Sequence, residues 1–156
     1  MASNLITTKE LYNVRVMGGK NASKRIGKVR AFVYHPKERR CIGIMVKRPD
    51  LLWMFHRKDL FVSLDGFEFE DGRVVLADDA KTRDKAACKA IDVRLDDCVI
   101  WGGMPVITES GTTLGTVGVV TFSLMTGKVE FFLVDTGATA NALLGTRSVP
   151  GDLVLG

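Results

Sequence analysis

The sequence predicts an all-β protein made of two small barrels in tandem, joined by a short helical connector. Three observations predict it. Short runs rich in β-branched and aromatic residues alternate with glycine- and polar-rich turns, the pattern of a small barrel or sandwich. The run from Ile26 to Val46 matches the run from Leu114 to Val134 at a constant offset of 88 residues. Between them lies an alanine- and lysine-rich stretch of helical character.

Gly27, Val29 and Val46 are identical to Gly115, Val117 and Val134. Elsewhere the apolar pattern carries the match: Phe32 meets Val120, Tyr34 meets Phe122, Ile44 meets Phe132, Met45 meets Leu133, and Arg40 meets Lys128. Each copy reads as the same strand order. A first strand at residues 14–17 or 104–108 enters a turn that is about two residues longer in the first copy. A second strand follows at 27–34 or 115–122, then a turn at 35–40 or 123–128, then a third strand at 41–46 or 129–134.

Beyond Val46 the first copy predicts a short crossing begun by Pro49, a strand at 59–64, and a hairpin of 67–70 and 73–76 turned by Asp71-Gly72. The second copy offers a crossing at 138–144 and a strand at 149–155, with no counterpart of the 67–76 hairpin. The connector reads as a helix capped by Asp78 or Asp79 and running to Ile91, with Ala80, Ala87 and Ile91 on one face and Lys81, Lys85 and Lys89 outside. The expected organisation is a first module over 9–77, a connector over 78–98 and a second, incomplete module over 99–156.

Composition narrows the function classes. Apolar residues at 46% and charged residues at 26% suit a packed core with a solvated surface. No run suits a membrane-spanning helix, and no secretory signal is visible at the N-terminus. The three cysteines, Cys41, Cys88 and Cys98, form no Cys-x-x-Cys, and His35 and His56 are the only histidines, so neither a disulfide framework nor a metal site is expected. Reduced thiols and a cytoplasmic location are the expectation. The net charge of +4 is unevenly spread: residues 1–76 hold 15 Lys/Arg against 8 Asp/Glu, and residues 77–156 hold 7 against 10.

The pattern Val106-x-x-x-Ser110-Gly111-x-x-Leu114-Gly115-x-Val117, followed by Thr126-Gly127-Lys128-Val129, resembles the PRC-barrel domain. That family includes the reaction-centre H-subunit barrel and the C-terminal domain of ribosome-maturation factors. The first copy departs from the pattern through its longer turn and through Glu38-Arg39 in place of Thr-Gly. The resemblance implies two PRC-type barrels of about half a dozen strands each, docking onto protein partners as a bacterial-type adaptor does. It carries no catalytic signature, and fold alone does not fix function.

Two groups of residues compete for a functional role. Phe131 to Ala138 is an apolar strand running into Asp135-Thr136-Gly137-Ala138, the mark of retroviral-type aspartic peptidases, whose chemistry needs two such carboxylates sharing a proton. Only 19 residues follow Gly137, too few for the rest of that fold, and the matching positions of the first copy are Lys47-Arg48-Pro49. A strand-ending turn is the plainer expectation. The second group is basic: Lys24, Arg25, Lys28, Arg30, Arg39 and Arg40 are the candidate binding residues, within a wider set that includes Lys20, Lys37, Lys47 and Arg48. Lys28 and Arg30 share strand parity with Phe32 and Tyr34, which would place cations and aromatics on one face, a recipe for gripping RNA. Trp53, Met54, Phe55 and His56 are expected to plug a barrel end.

These readings point to a non-enzymatic protein-binding or assembly module without cofactor or metal. The alternatives are an RNA- or ribosome-associated protein acting through the basic first module and, more distantly, the aspartic peptidase. A second module that ends one hairpin early leaves a strand edge open, so self-association through that edge is a further expectation.

Overall fold

The structure, a computed structural model, describes residues 4–49, 58–137, 143, 145 and 147–155. Residues 53–56 and nearly all of the 138–144 crossing lie outside them. Among the described residues the chain forms eleven strands: β1 (Leu5–Thr7), β2 (Arg15–Gly18), β3 (Lys24–Tyr34), β4 (Cys41–Lys47), β5 (Leu60–Ser63), β6 (Phe67–Glu70), β7 (Arg73–Leu76), β8 (Pro105–Ile107), β9 (Thr113–Ser123), β10 (Val129–Asp135) and β11 (Arg147–Pro150). Two α-helices accompany them, α1 (Thr8–Leu11) and α2 (Asp84–Ile91). A six-stranded sheet, ordered β5-β4-β3-β2-β7-β6, forms a half-barrel. A second sheet has the order β1-β9-β10-β11, with β8 also paired to β9. The fold is all-β.

The long hairpins β3–β4 and β9–β10 pair in corresponding registers. Tyr34 lies opposite Cys41, Phe32 opposite Ile44 and Val29 opposite Val46. In the other sheet Phe122 lies opposite Val129, Val120 opposite Phe132 and Val117 opposite Val134, each residue 88 positions further on. β2 and β8 also occupy like places, with Val16 opposite Gly27 and Val106 opposite Gly115. That offset is 90, because the β8–β9 turn is two residues shorter. Each hairpin then receives a fourth strand, β5 on β4 and β11 on β10. The strand expected at 149–155 is instead β11 over Arg147–Pro150, with a 3-10 turn at Gly151–Leu153.

The glycine shared by the two runs has one steric cause. A Cβ on Gly27 would lie 2.0 Å from the Lys47 carbonyl oxygen and 3.1 Å from Val46. A Cβ on Gly115 would lie 2.4 Å from the Asp135 carbonyl oxygen and 2.9 Å from Val134. Both glycines admit the close passage of the neighbouring strand end, a backbone approach only glycine permits.

The inward-facing buried side chains of the two halves form one cluster, where the sequence predicts two cores. Val16, Val29, Phe32, Tyr34, Ile44, Val46 and Val74 pack in the same cluster as Val120, Phe122, Val129, Phe132 and Val134. The reason is an exchange of entry strands. Ile6 of β1 pairs with Phe122 of the second hairpin, while Val99, ahead of β8, pairs with Tyr34 of the first. Tyr34 N–H donates to Val99 O at 2.8 Å, and Val99 N–H returns the bond at 3.1 Å. Aromatic rings fill the seam: Tyr34 stacks on Trp101 with centroids 4.7 Å apart, and Phe32 meets Phe122 edge-on at 6.3 Å.

β1 and α1 have no counterpart among the predicted elements, although Thr7 and Glu10 form a capping box that marks the helix start. The connector helix is shorter than predicted. A 3-10 turn at Ala80–Thr82, capped by Asp79 accepting from Lys81 N–H at 2.9 Å, precedes α2. Arg83 interrupts the two by bridging to Val62 of β5, and Asp84 accepts from Phe61 N–H at 3.1 Å. Ala87 and Cys88 of α2 then cover Val33, Ile42 and Phe61 on the outer face of the six-stranded sheet.

Candidate basic binding face

β2, β3 and β4 run side by side, and their register places three cations in line. Arg15 lies opposite Lys28, and Lys28 lies opposite Lys47. All three are exposed, while the next residues along each strand, Val16, Val29 and Val46, are 0–1% exposed in the core. The row therefore faces outward. Like charges set directly opposite across a sheet repel and cost stability. Among the described residues, no carboxylate lies within 4.0 Å of any of the three. Positive potential is concentrated along that row. The corresponding positions beside β8, β9 and β10 are Pro105, Thr116 and Asp135, so the row belongs to the first half alone.

The six predicted residues divide. Lys28 is the centre of the row, and Arg30 shares the outer face but pairs with Asp59 at 3.7 Å. Lys24 and Arg25 are exposed at the start of β3, opposite Gly18 and Met17. Arg39 serves the fold instead: its guanidinium donates to the carbonyl oxygens of Asp152, at 3.2 Å, and of Val154, tying the β3–β4 turn to the C-terminal segment. Arg40 pairs with Glu38, and that contact holds the Glu38 carboxyl below its ordinary range. Lys24, Arg25, Lys28 and Arg30 thus lie along β3 itself, and Arg39 and Arg40 in the turn.

The expected union of cations and aromatics does not form. A bulge in β3 between Val29 and Ala31 breaks the strand parity, so Phe32 and Tyr34 turn into the core while Lys28 and Arg30 face solvent. An extra residue in one strand shifts every later side chain to the opposite face. Arg15, which sequence reasoning left out, belongs to the row only because β2 pairs with β3. Its one sequence signal was its place in the first predicted short strand region, just ahead of Val16.

Asp135 ends β10 opposite Thr116 and is exposed, with its Oδ1 accepting from Gly137 N–H at 2.9 Å. Gly137 has φ +106°, which completes a tight carboxylate-capped turn. His35 has a similar local task, its Nδ1 accepting from the N–H groups of Lys37 and Glu38 at 3.0 Å. Cys41 and Cys88 are buried and Cys98 is half-buried, all as free thiols. Among the described residues no three His, Cys, Asp or Glu side chains converge as metal ligands. None of the described helices is long and apolar enough to cross a membrane.

Residues 101–150, which hold β8 to β11, match the family model of the PRC-barrel domain. No curated protein matches the chain.

Proposed function

We propose, with residues 101–150 established as a PRC-barrel domain, that the chain is a non-enzymatic cytoplasmic interaction module that docks an acidic partner protein on the face formed by β2, β3 and β4. PRC-barrel domains are generally non-catalytic and typically serve interactions. Residues 9–77 are read as a second, diverged module of the same kind and residues 78–98 as the connector. The corresponding hairpin registers support that reading.

The observation that carries the proposal is the row Arg15–Lys28–Lys47, which no carboxylate among the described residues meets within 4.0 Å. A protein keeps like charges directly opposed only where another gain offsets the repulsion, and an anionic partner supplies that gain. An acidic polypeptide is favoured over RNA because the aromatic rings that would stack on bases are buried beneath the sheet.

Titration with poly-L-glutamate and with a single-stranded RNA oligonucleotide tests the reading. The full chain should bind poly-L-glutamate more tightly than RNA at equal charge and lose it as salt rises. Lys28→Glu should weaken poly-L-glutamate binding at least about tenfold. Unchanged binding by this variant, or preference for RNA, would overturn the assignment.

A further inference from the structure

The two halves differ at one edge. In the first half β7 lies parallel against β2, with Val16 opposite Val74 and Met17 opposite Val75, and β6 completes the hairpin. Among the described residues, no strand lies on the corresponding edge of β8. Burial follows the difference. Val16 and Val29 are 0% and 1% exposed and Gly27 is buried, whereas their counterparts Val106, Val117 and Gly115 are only half-buried. Met104 and Ile107 are 44% and 57% exposed. Val106, Leu114 and Val117 still pack on the shared core, so the uncovered place is continuous with it.

We propose that the β8 edge is a docking site for an extended segment of a partner protein, added parallel to β8 in the place that β7 takes on β2. The chain carries its own template for the guest. β7 buries Val74 and Leu76, 0% and 5% exposed, on alternate positions. A guest strand therefore presents branched aliphatic residues at i and i+2 to Val106 and Val117.

Charge fixes its flanks. The hairpin in the first half carries Glu68, Glu70 and Asp71 within a basic half, where Lys20 lies in the β2–β3 turn and Lys24 and Arg25 begin β3. The β8–β9 turn holds Glu109 and no cation, and residues 99–156 carry four Asp/Glu against two Lys/Arg. The complementary guest has basic residues beside its aliphatic pair. A second copy of the chain is the poorer occupant. Two copies paired through this edge would bring two net-acidic stretches of residues 99–156 together, and their like charge opposes the pairing.

The test uses the full chain and a synthetic peptide of residues 67–76 in which Glu68, Glu70 and Asp71 are replaced by Lys. Amide hydrogen exchange should gain protection at residues 106–107 on titration, and not at residues 16–17, where the chain's own β7 already sits. Ile107→Lys should weaken the peptide at least about tenfold without changing thermal stability. Lys28→Glu should leave it unchanged, so this site and the basic face fail or stand separately. A scrambled peptide that binds equally, or no protection at 106–107 at about 1 mM peptide, would overturn the assignment. Concentration-dependent self-association lost in Ile107→Lys would give the edge to a second copy instead.

Discussion

Arg40 pairs antiparallel with Lys128, the residue 88 positions later. Cys41 N–H donates to Gly127 O at 2.7 Å, and Val129 N–H donates to Arg39 O at 3.1 Å. Exchanging each residue for its counterpart turns one bond into the other. The two hairpin turns therefore meet about a local two-fold, and each supplies the other's missing backbone partner.

Gly127 has φ +80°, and a Cβ there would lie 2.0 Å from the Cys41 carbonyl oxygen and 3.0 Å from Leu64. Gly127→Ala must strain the turn or push the two hairpins apart. A loss of about 2–4 kcal/mol is expected from urea unfolding. A loss below about 0.5 kcal/mol would mean that the contact is dispensable.

One core predicts one transition. Phe122 is fully buried and meets Phe32 of the other hairpin. Phe122→Ala should cost about 3–5 kcal/mol. Trp101 fluorescence and far-ultraviolet circular dichroism should still report coincident melting. Two separated transitions in the unmodified protein would return the halves to independent cores.

The cationic row predicts a trade between binding and stability. Lys28→Glu places a carboxylate between Arg15 and Lys47 and should stabilise the fold by about 0.5 kcal/mol at low salt. That gain should fade as salt screens the surface. The same variant loses the acidic probe. A Lys28→Glu protein that is both less stable and still binding would contradict the placement of the row.

Burial pushes the Cys41 thiol up from its ordinary 9.0 to about 12, against smaller opposing contacts from Gly43 and Val33. The unfolded chain releases this proton first, so unfolding is favoured as pH rises. Stability from this group is intact below pH 9.0 and declines towards pH 12, by about 1.4 kcal/mol per pH unit. Tyr34 is raised in the same sense, by burial first and by Cys41 second. Urea midpoints across this range should fall more gently in Cys41→Ala. At neutral pH, half-buried Cys98 should react with a thiol reagent before Cys41, as mass mapping would record.

Much of the fold was legible because strand signals are local. The 67–70 and 73–76 strands lie where Asp71-Gly72 predicts them, and the long hairpins lie within a few residues of their expected bounds. The expected face of Lys28 and Arg30 failed at a single bulge, which no residue type announces. Arg15 was missed because strand neighbours distant in sequence are set by pairing, and pairing is not periodic.

The sequence by itself determined the two long hairpins, their 88-residue correspondence and the glycines at 27 and 115, since each follows from local backbone preference or from side-chain size. Tertiary structure alone decided that β1 and Val99 cross to the opposite hairpins, that two expected cores close into one, and that three cations align. Those outcomes depend on which strand edges find each other once apolar faces leave water, a choice made between distant segments.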